Sequence, residues 1–340
     1  MRVAILGATG AVGREMWRLL EASEFPIEAL SAYTSRRSAG ATLRFRGADV
    51  VCEDLTEAAF RPADLVLASA GAAASRLWSP RFAALGAIVV DNSSAFRSDP
   101  ACALVVPEVN PDALDAPASI FAVPNCSTIQ MVVALAPLHA AWTLAAIRVA
   151  TYQSVSGAGA RAMEELLHGT RKSLAGEPFQ PEVFPHDVTF NVLPHIGSFD
   201  ADGESQEETK MRDETRRLLG VPGLPVSATC VRVPVLRGHS EAVWASFAKA
   251  PDPESARRLL RERGVVVEDE PEAARYPLPT RAAGRDEVFV GRVRRDPADP
   301  LGLCLWVVSD NLLKGAATNA FQIARHLVAR GRVGASRSAR

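Results

Sequence analysis

Only four lysines occur in the 340 residues of this chain, and Lys+Arg (38) nearly cancel Asp+Glu (39), so the sequence lacks the basic field that draws a protein to nucleic acid or to an anionic membrane. It lacks any apolar run near the roughly 20 residues that span a bilayer, and its first apolar run passes straight into a glycine turn without reaching the length of a secretion signal. Internal repeats and low-complexity stretches are missing too. The five cysteines, Cys52, Cys102, Cys126, Cys230 and Cys304, are odd in number, contain no CxxC pair and have no His/Cys spacing suited to zinc. These absences predict reduced thiols, a cytoplasmic location and no metal. Any charged ligand must be met by local groups.

What is present reads as two domains, each long enough to bury a core. Up to about residue 125, short Val/Ile/Leu/Ala runs at 3–6, 30–33, 65–68, 88–90 and 104–106 alternate with helical segments, the pattern of a parallel sheet covered on both faces. Val12, Met16, Leu19 and Leu20 give the first helix one apolar stripe. Beyond Cys126, alternating runs at 147–155, 226–235, 242–248, 288–293 and 303–308 predict a largely antiparallel sheet, with helices at 160–174 and 205–219 on one side and an outer face free for a dimer contact. Residues 176–203 and 269–285 read as long loops, 312–328 as one amphipathic helix, and 331–340 as a frayed tail.

Gly7-Ala8-Thr9-Gly10-Ala11-Val12-Gly13 follows the first strand and opens the first helix. The spacing departs from GxGxxG by one residue, and a glycine triplet alone is equally a tight turn. Its placement is what points to a dinucleotide, whose pyrophosphate can meet the amides of Thr9, Gly10, Ala11 and Val12 at the positive helix end. Where an NAD site carries an acid at the end of the second strand, this chain has Arg36, Arg37 and Ser38, which suit a 2′-phosphate and favour NADP.

The second chemical feature is Pro124-Asn125-Cys126-Ser127-Thr128-Ile129, a thiol where an apolar strand ends and a helix begins. A helix start leaves amides unpaired and carries about half a positive charge, which lowers a cysteine pKa and can hold an oxyanion. The other four cysteines read as inert packing. Around the thiol the pattern breaks at Arg97, Gln153, Ser156-Gly157, Glu207 with Lys210 one turn on, Arg232 and His239. Each has a bland alternative, a sheet arginine in an ion pair or a surface Glu/Lys bridge of little worth.

Taken together, Gly7 to Gly13, Asp91 to Arg97, Val106-Pro107-Glu108-Val109-Asn110, Pro124 to Gln130, Gln153 to Gly159 and Trp306 to Gly315 resemble the bacterial aspartate-semialdehyde dehydrogenases over nearly the whole chain. The resemblance implies an α/β protein: residues 1–126 a Rossmann-type doubly wound parallel sheet binding NADP and completed by a C-terminal helix at 312–330, and residues 127–311 an α+β catalytic and dimerisation domain with a mixed, largely antiparallel sheet. It implies NADPH-dependent reductive dephosphorylation of L-aspartyl 4-phosphate to aspartate 4-semialdehyde, through a thioester on Cys126 with His239 as proton acceptor in the oxidative direction. Arg232 is implied to pair with the substrate carboxylate, Glu207 with its ammonium, Gln153 to orient it, and Arg97 and Lys210 to bind phosphate. Gly7, Thr9 to Val12, Arg36, Arg37, Ser38, Ser156, Gly157 and Asn311 are implied to contact NADP. Expected partners are these small molecules and a second copy of the chain. Two alternatives stand beside this one: an N-acetyl-glutamyl-phosphate reductase, whose cysteine sits in a Pro-Gly-Cys context, and a non-catalytic NADP-binding scaffold.

Overall fold

The structure, a computed structural model, describes residues 1–57 and 60–333. Most of the predicted tail at 331–340 lies outside the described residues. The chain divides into two compact units, one formed by Met1–Pro124 together with the chain from Ala316 onward, the other by Asn125–Gly315.

In the first unit β1 (Arg2–Leu6), α1 (Ala11–Glu21), β2 (Ala29–Thr34), β3 (Thr42–Phe45), β4 (Ala48–Asp54), β5 (Leu65–Ala68), α2 (Ala72–Ala84), β6 (Ile88–Asp91), β7 (Ala103–Leu104) and β8 (Ile120–Ala122) build an eight-stranded sheet in the order β3-β4-β2-β1-β5-β6-β8-β7. The central strands are fully buried Val/Ile/Leu/Ala runs paired in parallel, as a sheet covered on both faces requires. Under one face Tyr33, Phe60, Trp78 and Phe82 pack ring to ring, with Phe60 and Trp78 centroids 4.5 Å apart. A buried Phe side chain is worth about 1.5–3 kcal/mol, so this cluster outweighs any surface ion pair nearby.

The hairpin of β3 and β4 was not legible in the sequence. It is the only antiparallel pair in this sheet among the described residues, and its turn is Arg46-Gly47, both with positive φ (47° and 85°). That geometry suits a two-residue hairpin turn, but Arg-Gly lacks the Asn-Gly or Asp-Gly signature. The strands lie at the sheet edge, carry charge and are half exposed, so their apolar alternation is weak.

The second unit contains α3 (Cys126–Trp142), β9 (Leu144–Gln153), α4 (Ala160–Leu174), α5 (Gln206–Leu219), β10 (Val226–Arg232), β11 (His239–Phe247), α6 (Pro253–Glu262), β12 (Val266–Val267), α7 (Pro279–Ala282), β13 (Val288–Asp296) and β14 (Asp299–Ser309). Its six-stranded sheet runs β10-β9-β11-β14-β13-β12, with parallel pairs at each edge and antiparallel pairs between. The expected doubly wound first sheet and mixed second sheet are thus both present. Helix α3 is apolar all round and buried from Ser127 to Leu135, because β11, β14, α5 and α6 all pack against it.

The run predicted as one helix from residue 312 is built differently. Leu313–Ala317 form a wide π-helical turn, and only then does α8 (Thr318–Ala329) begin, packing against α1 and β6. Both Leu312 and Leu313 amides donate to the buried Asp310 carboxylate, at 2.9 and 3.3 Å, and a Cβ on Gly315 would lie 2.9 Å from Cβ of Cys126. The sequence pattern cannot see either constraint.

Candidate active site

Strand register in the second unit does the first part of the positioning. Arg232 pairs with Gln153 at the ends of β10 and β9, and His239 pairs with Ser309 where β11 starts and β14 ends. Three of the polar residues singled out in the sequence therefore stand at one end of one sheet, all buried. Cys126 opens α3, and of the five cysteines it alone is not buried; none is in a disulfide. Burial raises the thiol pKa of Cys52, Cys230 and Cys304, which fits their reading as packing.

The helix end beneath the thiol is less open than a bare helix start. Asn125 caps it, its side-chain oxygen accepting from the amides of Ser127 at 3.0 Å and Thr128 at 3.3 Å. Asn125 thus has a structural role within the motif, and its place just before the helix is the sequence signal for it. Its own amide donates to Glu214 at 2.5 Å and its Nδ2 to Glu207 at 2.8 Å, so the cap is fixed from α5.

Glu207 sits in the first turn of α5, whose start is set by a capping box between Ser205 and Glu208. Its Oε1 also accepts from Gln153 Nε2 at 3.1 Å, and its Oε2 meets Lys210 Nζ at 3.1 Å. Burial by itself would raise its pKa. The Lys210 charge and the hydrogen bonds from Asn125, Gln153 and Lys210 outweigh that and hold it down to about 2. The Glu207–Lys210 pair is therefore half of a buried network and not the surface bridge its spacing also allowed.

Arg232 donates through Nη1 to the Ser154 carbonyl at 2.7 Å, while its buried Nε has no protein partner. Its guanidinium carbon stands 5.8 Å from the Phe184 ring centroid. Phe184 belongs to the 176–203 loop, which Glu165 of α4 pins by accepting the amides of Glu182, Val183 and Phe184. Burial lowers the Arg232 pKa, opposed by the charges of Glu207 and Cys126. A Cβ on Gly157 would lie 3.0 Å from Arg232 Nη1 and 3.3 Å from His239 Nε2, so the bare glycine leaves both groups accessible from that side. The His239 pKa falls to about 3, first through burial and then through the Arg232 charge, which Glu207 and the Gly238 carbonyl only partly offset. At neutral pH the ring is uncharged.

Ser156 and Asn311 are joined directly, Ser156 Oγ donating to Asn311 Oδ1 at 3.0 Å. Ser154, which no sequence signal marked, donates to the same oxygen at 3.0 Å. Glu241, two residues after His239, was also missed: it is wholly buried, and burial, only partly offset by the Gln130 side chain, raises its pKa well above the usual range.

The remaining predicted residues belong to the first unit. A Cβ on Gly7 would fall 2.4 Å from the Ser69 carbonyl oxygen, and one on Gly13 only 2.0 Å from that of Gly7, so both close approaches exclude a side chain. Gly10 is the N-cap of α1 without a side-chain cap, and no acid lies in the first turn, leaving the end of Ala11 and Val12 suited to a phosphate. Thr9 Oγ1 meets Thr34 Oγ1 at 2.6 Å, tying the turn to the end of β2. Arg36 and Arg37 are exposed and Ser38 half-buried on the short 3₁₀ turn that follows. These features fit a dinucleotide phosphate group. Arg97 lies in the loop after β6, with Nη2 donating to the Asn92 carbonyl at 3.0 Å.

A nucleotide-type sheet in one unit and a thiol on a capped helix start in the other define an oxidoreductase of the semialdehyde dehydrogenase class. Residues 2–116 match the family described as semialdehyde dehydrogenase, NAD binding domain, and residues 135–314 the family described as semialdehyde dehydrogenase, dimerisation domain. The chain is 49% identical over 335 residues to the aspartate-semialdehyde dehydrogenase of Aquifex aeolicus, covering 97% of this chain and 98% of that one. It is 44% identical, with a TM-score of 0.93 and coverage of 96% and 98%, to aspartate semialdehyde dehydrogenase II from Vibrio cholerae, solved in complex with ASA. At 28% identity and a TM-score of 0.76, it also resembles the Candida albicans enzyme solved with NADP, over 98% and 99% of the two chains. The chain belongs to the aspartate-semialdehyde dehydrogenase family, as its motifs implied.

Proposed function

We propose that the protein catalyses the reductive dephosphorylation of L-aspartyl 4-phosphate to L-aspartate 4-semialdehyde and phosphate, on the route to lysine, threonine and methionine. The observation that carries the reading is a buried cation, Arg232, and a buried anion, Glu207, held in the same unit as the one unburied thiol. A substrate with an α-carboxylate and an α-ammonium needs that pair, and the buried Arg232 Nε has no protein partner, so it is left to a ligand.

In the forward direction the Cys126 thiolate attacks the acyl carbon. A carbon–sulfur bond forms, the carbon–oxygen bond to phosphate breaks, and a thioester remains on Cys126. NADPH, when bound, supplies the hydride that converts the thioester carbon to the aldehyde level. Cys126 then departs as thiolate, and the reverse sequence oxidises the aldehyde. Arg232 holds the carboxylate through two parallel hydrogen bonds. Glu207 takes the ammonium, Gln153 aims the chain, and Arg97 and Lys210 are assigned to the phosphate. His239 manages the proton at the reacting centre. Gly7, Thr9, Gly10, Ala11 and Val12 are assigned to the pyrophosphate, Arg36, Arg37 and Ser38 to the 2′-phosphate, and Ser156, Gly157 and Asn311 to the nicotinamide end.

A cytoplasmic location accords with the need for a reduced Cys126, and no helix among the described residues is long and apolar enough to cross a membrane. The working form is a homodimer through the outer face of the second sheet, where Tyr152, Trp244 and Trp306 stand partly exposed and the Tyr152 and Trp306 rings lie 5.4 Å apart. The test is incubation with aspartate semialdehyde, NADP and phosphate. Rising nicotinamide absorbance supports the reading; no rise refutes it, and a preference for an N-acetylated glutamate semialdehyde would transfer the chain to the related reductase.

A further inference from the structure

Arg232 offers a ligand one edge only. Its backbone is pinned on both sides, in register with Gln153 on β9 and, on the open side of β10, exchanging two hydrogen bonds with Leu193 at 2.9 and 2.8 Å. Its Nη1 is engaged by the Ser154 carbonyl at 2.7 Å, which leaves the side of the fork that carries Nε, a buried donor with no protein partner. A carboxylate that takes two parallel hydrogen bonds must therefore meet the Nε–Nη2 edge, and does so only if the guanidinium plane is held at the right tilt.

The 176–203 segment, a loop by its sequence, supplies that tilt as an ordered strap. Leu193 joins it to Arg232 at one point, and Phe184 sets its ring centroid 5.8 Å from the guanidinium carbon at another. An aromatic face orients the plane of a cation without using any of its N–H donors, so the free edge stays available. Helix α4 holds the strap in place. Glu165, only 9% exposed, accepts from the amides of Glu182 and Val183 through Oε2 at 2.7 and 2.6 Å, and from that of Phe184 through Oε1 at 3.2 Å. One turn on, the bare Gly169 lets the strap pass close by: a Cβ there would lie 2.6 Å from Thr189 Oγ1 and 2.8 Å from the Phe179 ring. Phe184 itself packs against a buried cluster that includes Val155, Leu166 and Leu193.

We propose that Phe184 is a positioning residue for the carboxylate site, that Glu165 delivers it, and that together they tune this enzyme to aldehydes carrying an α-carboxylate. The inference deepens the function given above and rests on it for the substrate. Neither residue need touch the ligand. A single carboxylate that takes three successive amides fixes the backbone from Glu182 to Phe184, so the ring can leave Arg232 only by changing rotamer inside its packed cluster. Charge matters here as well as shape, because a hydrogen bond to a carboxylate is about twice as strong as one to a neutral amide oxygen. A plain hydrophobic contact would leave a different signature: it would support the fold and weaken every substrate alike.

The experiment compares kcat/KM in the oxidative direction, with NADP and phosphate, for aspartate semialdehyde and for 3-aminopropanal, the same aldehyde without its carboxylate. Phe184→Ala should lower the first about tenfold, the weight of one desolvated cation–aromatic contact, and leave the second within about twofold. Phe184→Tyr keeps the ring face and should keep the wild-type ratio, while Phe184→Leu, which still fills the cluster, should lose it. Glu165→Gln leaves one oxygen for the Glu182 and Val183 amides but turns an NH2 toward that of Phe184. It should shift the ratio the same way and speed hydrogen exchange at the 182–184 amides. Equal losses for both aldehydes, or a Phe184→Leu ratio like that of the wild type, overturn the proposal in favour of simple packing. Wild-type turnover of aspartate semialdehyde with an unchanged ratio in Phe184→Ala defeats this inference alone; no wild-type turnover defeats the function beneath it as well.

Discussion

Acid should weaken this protein through His239 before it reaches most carboxylates. The ring is fully buried and its pKa is near 3, against 6.5 when exposed. Because the folded-state value is depressed, the unfolded chain binds the extra proton more tightly, and the stability present above 6.5 is lost as pH falls. Each pH unit between those limits is worth about 1.4 kcal/mol, so going from neutrality to about pH 5 costs about 2 kcal/mol through this one ring. The informative perturbation is His239→Asn, whose amide oxygen can take the place of Nδ1 and still accept from Ser154. Urea midpoints for both proteins, followed by fluorescence between about pH 5 and 7.5, should show the wild type losing about 2 kcal/mol more than the variant. Glu241, buried with a raised pKa, acts with the opposite sign, but it is common to both proteins and drops out of the difference. Parallel curves would refute the argument, since they would mean that His239 titrates alike in the folded and unfolded chain.

Cys126→Ala should abolish turnover while leaving NADP binding intact, measurable as an unchanged nucleotide-induced rise in melting temperature. Replacing Arg36 and Arg37 with Ser should lower the ratio of kcat/KM for NADP over NAD, and an unchanged ratio would remove these residues from the 2′-phosphate. Gly13→Ala puts a carbon 2.0 Å from the Gly7 oxygen and must push the turn and α1 apart, so NADP binding should fall sharply or the first unit lose stability, both visible by calorimetry.

The sequence by itself determined the classes of the two sheets, the placing of the glycine turn and thiol at helix starts, and the family. Those features are local: strand alternation, a helix stripe and a capped start depend on neighbours a few residues apart. The ordered motifs then tied Cys126, Arg232 and His239 into one expectation. The β3–β4 hairpin escaped because charged edge strands carry little alternation, and the wide turn before α8 escaped because the contacts around it, the Asp310 carboxylate and the close passage of Gly315 by Cys126, leave no period in the chain.

Only the tertiary structure decided the electrostatics. Glu207 and Lys210 read equally as a surface bridge until folding buried the glutamate and brought Asn125 and Gln153 to it from residues more than 50 positions away. The low pKa of His239 arises in the same way, from burial and from the charge of Arg232 at another strand end. A hydrogen bond between distant residues leaves no period in the chain, and desolvation has no sequence pattern at all. Both arise only when strands and helices close around the group, which is why the chemistry of this site could be named from its residues but its protonation could not.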